Sequence, residues 1–585
     1  MSKVKLARIS GIAMAAALTL SIGSAFAGCA YRNADSTGQQ VDHTKTQLYV
    51  SNHDGGYGSE WLEAAADRFE ELYANTRFEE GKMGVQIMID TPKEIGSNLI
   101  NTISGSRSEV FFTESVYYYD YVAAGVVADI TDIVCGENSD LSEYGDTGTI
   151  EDKLTDQQIS YYKTDGEYYG IPHYACYQGI IYDKDFFESD LLYFSDNGGF
   201  IESETERRST GPDRKYCEEC AANGYDYSDH DCDDGLPSTY DEFIELCDLI
   251  SSTGNTPLIW SGANRANYLE KFMASLVTDY EGLEQMMLYY SFDGTAYNIV
   301  QSVNSDGTLT FEGGEEGVDI TSANGYKMYS SAGKYYAYKF MENILSDSDY
   351  YHYLCFNGTH EHTDAQDDFL FSKDESSRIA MLIDGNYWDN EADDTFNEMS
   401  NGNVNDDDSR YSRKFGFMPL PKATEDEVGE KSTLLDFLYS LGFINANIED
   451  DPVKLDLAKK FLKFVNTEES LQEFTRITGS PKSLNYTMED EDLEQMSFYS
   501  RSVWHLKENS DVVYPYSTNR IYLNNQSTFI NAGGFATRVN NVQYTDIASA
   551  IRNNKFTATQ LFNGHVSRHS QSDWERDYED YFTLS

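Results

Sequence analysis

Four residues in the middle of the chain have the types and spacing of a metal site. Cys217 and Cys220 form a C-x-x-C pair, and His230 and Cys232 follow shortly after. Three thiolates and an imidazole are the donor set of a closed structural zinc site. The same thiols would form disulfides in an oxidising compartment or stay free in a polar loop, so zinc, bridges and free thiols all remain open. Asp229, Asp231, Asp233 and Asp234 interleave with them. That run lacks the central Gly and the closing Glu of an EF-hand calcium loop. Nearer the N-terminus, Asn52-His53-Asp54-Gly55-Gly56-Tyr57-Gly58 is a glycine-rich loop. Its spacing is neither G-x-G-x-x-G nor a P-loop with its lysine, which argues against a nucleotide. The 99 acidic residues leave room for paired carboxylates, but no specific catalytic motif accompanies them.

The elements that must position such groups belong to a long, acidic, globular chain. Its 585 residues suffice for more than one core. Hydrophobic residues make up 40% and charged residues 24%, the balance of a folded protein. A net charge of −56 argues against nucleic-acid binding and against adhesion of the body to anionic membrane, since both need basic patches. The N-terminus reads as a targeting segment. Lys3, Lys5 and Arg8 precede an apolar stretch from Gly11 to Ile22, followed by the small residues Ala25, Ala27 and Gly28. No later apolar run is long enough to span a bilayer. Beyond Cys29 the cysteines are Cys135, Cys176, Cys217, Cys220, Cys232, Cys247 and Cys355, an odd number that leaves one without an internal partner.

Residues 30–47 are polar and read as a tether. Leu48-Tyr49-Val50 begins a strand, and Trp61, Ala65, Phe69 and Leu72 mark one face of the helix after it. Val85–Ile89, Glu94–Ser104 and Val110–Phe112 continue the alternation of strand and helix. That alternation implies a mainly parallel sheet, with ligands at the carboxyl ends of its strands. Both the glycine-rich loop and Thr113-Glu114 fall there. Asp165-Gly166 is a turn pair, and a Tyr-rich broken strand follows with Pro172 inside it. Proline cannot donate to a ladder, so the strand is interrupted or lies at a sheet edge. Asp451-Pro452 supplies a cap and a first-turn proline for a late helix.

Several of these stretches carry a resemblance. Gly170-Ile171-Pro172, Gly179 and Tyr182-Asp183-Lys184-Asp185-Phe186-Phe187 look like the crossover segment of extracellular solute-binding proteins of ABC importers, of the sugar-binding type. Pro237-Ser238-Thr239-Tyr240-Asp241-Glu242-Phe243, the run Ala380 to Trp388, Phe415 to Pro421 and Gly479-Ser480-Pro481 resemble further motifs of that family in the same order. The polar insertion 189–236 departs from it. Phe26-Ala27-Gly28-Cys29 resembles a lipobox, with Phe26 where Leu is usual; the alternative is ordinary cleavage after Ala27.

The resemblance implies an α/β protein with a two-lobe periplasmic-binding-protein-like fold, a hinge and an interlobe cleft. Its expected parts are a lipoprotein signal peptide 1–29, a tether 30–47, a first lobe of 48–172 with 434–478, and a second lobe of 173–433 with 479–585. It implies a carbohydrate ligand, an ABC permease as partner, a lipid anchor at Cys29 on the extracytoplasmic face of the cell membrane, a monomer, and neither enzyme activity nor a cofactor. The rivals are a surface glycan-acting enzyme, an adhesin, or a binding protein for another solute such as a peptide or metal. Sugar sites combine flat aromatic faces with groups that match hydroxyls. The ligand-binding candidates are therefore Tyr57, Glu114, Tyr174, Trp260, Asp384 and Trp388. Gly385 allows a sharp bend that would project the Trp388 indole from the end of its strand. Core packing is the alternative for both tryptophans, and a helix cap for Glu114.

Overall fold

Strand β1 (Thr46–Asn52) is buried along almost its whole length, as a central parallel strand must be. It pairs in parallel with β2 (Val85–Asp90) and β3 (Val110–Glu114). The computed structural model describes residues 39–582 except 54, 93–98, 147, 196–198, 202–234 and 438–439. Cys29 and the set Cys217, Cys220, His230 and Cys232 lie outside the described residues. Helix α1 (Glu60–Leu72) covers the first sheet with Trp61, Leu62, Ala65, Ala66 and Phe69. The sheet is completed by β4 (Ile171–Pro172) and β10 (Ser440–Ile444), in the order β2-β1-β3-β10-β4, while β9 (Thr433–Leu435) pairs in parallel with 511–513 outside it. β4 is the edge strand, which is where Pro172 is tolerated.

The second sheet has the order β8-β5-β7-β6, formed by β5 (Gln178–Asp183), β6 (Thr256–Ile259), β7 (Ile379–Gly385) and β8 (Phe415–Met418). β7 runs parallel to β6 and antiparallel to β5. Helices α2 (Tyr240–Ser252), α3 (Arg265–Ser291) and α4 (Ala332–Ile344) contribute to its core. Thr239 caps α2 by accepting from Glu242 N. Between α3 and α4, short hairpins pair 294–296 with 318–320 and 300–303 with 309–311.

Two hydrophobic cores result. The first gathers β1–β4 and β10 with α1, α6 (Pro452–Phe464) and α7 (Glu468–Thr478). Asp451 caps α6 over its first-turn proline, accepting from the amides of Val453 and Lys454. The second gathers β5–β8 and their helices, together with C-terminal residues from Ile547 to Trp574. The chain after α7 does not belong wholly to the second lobe. Leu484, Tyr486, Trp504, Tyr514 and Tyr516 pack into the first core, whereas Tyr499, Val503 and Leu506 pack into the second. Helix α8 (Phe498–Asn509) therefore has one face in each, a division that a linear reading of boundaries does not reveal.

Where the chain passes between the cores, segments 172–176, 436–440 and 481–483 lie side by side. His173 N donates to Ser440 O at 3.3 Å and Ala175 N to Pro481 O at 2.9 Å. The fully buried Asp436 accepts from Cys176 N at 3.1 Å and from Ser483 Oγ at 2.5 Å.

Lys482 sits within this junction and is completely buried. Its ammonium lies 5.1 Å from the Trp61 ring centre and 4.9 Å from that of Phe474, and donates to Val465 O at 3.4 Å. Burial, reinforced by the charge of Lys153, brings its pKa down to about 7. An unfolded lysine titrates near 10.4, so between these values the unfolded chain binds the extra proton and stability rises with pH. Replacing Lys482 by Met should flatten that rise and raise stability below about pH 7. Chemical denaturation at about pH 6 and about pH 9 checks this; parallel wild-type and variant profiles would refute it.

Candidate functional site at the junction of the two cores

The carboxyl end of β1 leads into the glycine-rich loop, and the loop is pressed against the second lobe. Asn390 Nδ2 donates to Gly56 O at 3.0 Å. A Cβ on Gly56 would stand 2.7 Å from the Tyr387 ring, so the close approach requires glycine. Tyr57, two residues before α1's cap, is buried. Its hydroxyl donates to Ala175 O at 2.7 Å and reaches Asn386 Oδ1 at 3.4 Å. Its ring stacks on Tyr174 with centroids 3.8 Å apart and planes inclined by 23°. The Tyr174 hydroxyl donates to Glu114 Oε1, and Glu114 Oε2 lies 3.8 Å from His53 Nε2. Burial, with Glu114 beside it, holds the Tyr174 phenol well above its usual range. Tyr174 therefore stays a neutral donor. The Glu114 side chain remains 38% exposed and that of His53 14%, so these two are the accessible polar ends of the first-lobe cluster.

Tyr387 links this cluster to a second one. Its ring meets Tyr57 edge-on at 5.8 Å, and its phenol neighbours that of Tyr268 on α3. Gln366 lies on α5 (His362–Phe371) and shares its amide between Asp384 Oδ2 at 3.0 Å and Glu391 Oε2 at 2.6 Å. His362 Nε2 stands 3.4 Å from Glu391 Oε1, and its ring stacks on Tyr268 at 5.9 Å. Burial, then the neighbouring Glu391 charge, pushes Asp384 up to about 7. The hydrogen bond to Glu391 raises the pKa of His362. The combined cluster brings together aromatic rings, carboxyl and amide oxygens, and hydroxyl and imidazole donors, with Tyr57, Tyr174, Tyr268, Gln366 and Asp384 buried between the lobes. That is a set suited to many weak, directional contacts with an uncharged polyhydroxyl ligand.

A family model for bacterial extracellular solute-binding proteins matches residues 55–472. The chain belongs to that family. Among solved structures, this solute-binding protein is similar to one from work on xylan utilization by the thermophilic bacterium Caldanaerobius polysaccharolyticus. The TM-score is 0.51 at 12% identity, covering 89% of this chain and 99% of that one. The chitin oligosaccharide binding protein gives 0.49 at 13% identity over 91% and 99%. The RafE solute-binding protein in complex with raffinose gives 0.47 at 14% over 92% and 99%. No curated protein matches in sequence. The two-lobed α/β architecture is that of the family.

The structure brings Tyr57, Glu114, Tyr174 and Asp384 of the solute-binding protein to the junction. It places the two tryptophans elsewhere. Trp388 opens a one-turn helix, Trp388–Glu391, which swings its indole back into the second core. There it packs on Phe415 at 5.0 Å, Tyr499 at 5.1 Å, Phe369 at 5.7 Å and Phe396 at 5.8 Å, with no exposed surface. Trp260 is equally buried, against Tyr351 at 5.4 Å. The bend at Gly385 is thus filled by a ring, but by Tyr387: a Cβ on Gly385 would lie 2.2 Å from it. His53, Tyr268, His362, Gln366, Tyr387 and Glu391 escape a motif-based reading. His53 and Tyr387 adjoin residues that the motifs pick out, whereas Tyr268, His362 and Gln366 sit on helices without any signature. Among the described residues no cluster of three or more His, Cys, Asp or Glu side chains is placed to hold a metal.

Trp388→Ala should cost about 3–5 kcal/mol of stability, the usual loss for truncating a buried indole. Urea unfolding of ligand-free protein measures it. Near-wild-type stability would remove the indole from the core.

Proposed function

We propose that this solute-binding protein captures a carbohydrate, a sugar or oligosaccharide, at the junction of its lobes and delivers it to an ABC permease without chemically changing it. The observation that carries the reading is the convergence of Tyr57, Tyr174 and Tyr387 with the partly exposed Glu114 and His53. Aromatic faces there adjoin oxygen and nitrogen groups that can match hydroxyls. The second cluster of Tyr268, His362 and Glu391 extends the same surface from the other lobe. Capture closes the lobes about the crossing segments, the hinge motion of two-lobed binding proteins. The moving bodies are residues 48–172 with 434–478 and residues 173–433 with 479–585, with the stretch 484–516 contributing to both cores. The protein acts as a monomer. It is held on the extracytoplasmic face of the membrane by a lipid on Cys29, which the basic N-terminus and Ala27-Gly28-Cys29 support. Among the described residues no helix is long and apolar enough to cross a membrane.

A thermal-shift panel of mono- and oligosaccharides identifies the ligand, since one at a hundredfold its Kd stabilises by about 2.7 kcal/mol. Glu114→Ala should then weaken binding by about tenfold or more, the worth of a hydrogen bond to a charged group, and lower ligand-free stability by about 1–3 kcal/mol because the buried Tyr174 hydroxyl loses its acceptor. Unchanged affinity in a titration would remove Glu114 from the site, and a panel without any shift would overturn the carbohydrate reading.

For the anchor, Cys29→Ala should move the protein from the membrane fraction into the medium while leaving ligand affinity intact. A native mature N-terminus at Gly28 would show ordinary cleavage in place of lipidation.

A further inference from the structure

Strand β3 ends at Glu114, and the loop that follows reaches both halves of the molecule. At its start, the Glu114 carboxylate meets the Tyr174 hydroxyl and His53 at the junction. Two residues on, Val116 packs against the second core, although it follows a first-lobe strand. Ser115 and Val116 there line a cavity of only about 10 Å³ with Pro515, Gln526 and Ile530. A gap of that size holds about one water, so the loop lies close against the opposite wall. The loop thus spans the boundary between the lobes. It does so at the carboxyl end of a strand that pairs in parallel with β1, where such sheets take their ligands.

Tyr117 is the next residue, and its backbone is fixed on both sides. Its N–H donates to Ser115 Oγ at 3.1 Å. Its carbonyl accepts from Asp120 N at 3.1 Å and Tyr121 N at 3.2 Å, which opens the short helix Tyr118–Ala123. Ser115 Oγ is held in turn by the Tyr121 hydroxyl. The rings that follow are drawn inward. Tyr118 and Tyr121 are buried, and the hydroxyls of Tyr118 and Tyr119 donate to Tyr162 O at 2.7 Å and Tyr161 O at 2.9 Å. Tyr117 is the exception. It is 47% exposed, and among the described residues its ring stacks on no other. An open aromatic face on a pinned backbone loses little freedom when a ligand covers it. The Tyr57 and Tyr174 rings are buried, so Tyr117 supplies the aromatic surface that solvent reaches on this loop.

We propose that Tyr117 is a specificity-determining platform, which stacks an outer ring of an oligosaccharide whose neighbouring ring is held by Glu114 and His53. The inference rests on the carbohydrate reading of the junction and narrows its class to chains of two or more sugars. The carboxylate is turned toward Tyr174 and His53, whereas the loop past it turns toward the second core. Three positions of chain span at most about 11 Å, so one sugar ring meets Glu114 and the next meets Tyr117. The phenol ring takes the C–H face of that second sugar, and its hydroxyl can pair with one of the sugar's own.

The test is titration of the full chain, by calorimetry and saturation-transfer NMR, with three pairs of probes. These are glucose and maltotriose, xylose and xylotriose, and N-acetylglucosamine and its β-1,4-linked trimer. Wild-type protein should bind at least one trisaccharide about tenfold more tightly than the matching monosaccharide. Tyr117→Ala should weaken that trisaccharide by about tenfold, yet leave the monosaccharide within about twofold. The ligand-free melting temperature should stay at the wild-type value, since the side chain is exposed. Tyr117→Phe keeps the ring and should hold trisaccharide affinity within about threefold. Glu114→Ala should weaken both members of the pair. Trisaccharide binding that falls with Glu114→Ala but not with Tyr117→Ala would overturn the platform and leave the carbohydrate reading intact. An equal loss of both sugars in Tyr117→Ala would do the same. Failure of wild-type protein to bind any of the six probes would overturn the platform together with the carbohydrate reading.

Discussion

A buried carboxylate holds the two halves of this molecule in register. Asp436 has no exposed surface, and it accepts from the amide of Cys176 and the hydroxyl of Ser483. These partners lie on separate segments that each pass between the cores. An acidic group without solvent is costly unless its oxygens are satisfied, and here the satisfying donors are the crossing strands themselves. The arrangement therefore couples the desolvation of one side chain to the alignment of several chain segments. Ser483 extends the tie by donating also to Tyr174 O at 3.0 Å, so the node reaches the ring that stacks on Tyr57. Positioning of the aromatic floor follows from positioning of the crossover.

Much of this frame is legible in the order of residues. Pro172 announces an edge, and β4 is the edge strand of its sheet. Leu441 to Asn445 reads as a strand returning to the first lobe, and β10 pairs there with β3. The capping of α6 by Asp451 and of α2 by Thr239 follows from local chemistry alone, because caps depend on neighbours in sequence. The side chains at the site are less legible, for a geometric reason. A glycine turn states that the chain bends, not which of the following rings turns outward. After Gly385 the next aromatic residue, Tyr387, reaches the junction, and the one after it, Trp388, is carried by a single helical turn into the core. Residues drawn from separate helices, such as Tyr268 and His362, become neighbours only in the tertiary structure, where their rings stack, and no local pattern encodes that.

The glycine-rich loop shows how a sequence feature can have a different cause from the one it suggests. Its glycines do not open a cradle of amides for an anion. They let the backbone pass beneath Tyr387 and meet Asn390, so that the loop becomes a contact between lobes. The strongly acidic character of the whole chain agrees with this. The same closeness places Tyr57 where both lobes touch it.

The burial of the tryptophans has an optical consequence. Trp61, Trp260, Trp388, Trp504 and Trp574 account for all five indoles of the chain, and none exposes more than 7% of its surface. Emission from the native protein should therefore lie toward the blue and shift red when the cores dissolve. The floor of the junction, by contrast, is built of phenols. Occupancy there should perturb tyrosine absorbance in the near ultraviolet while leaving most indole emission unmoved. Trp574 stands apart in the C-terminal part of the second core, so the two chromophore classes report on different regions of one molecule without any label being attached.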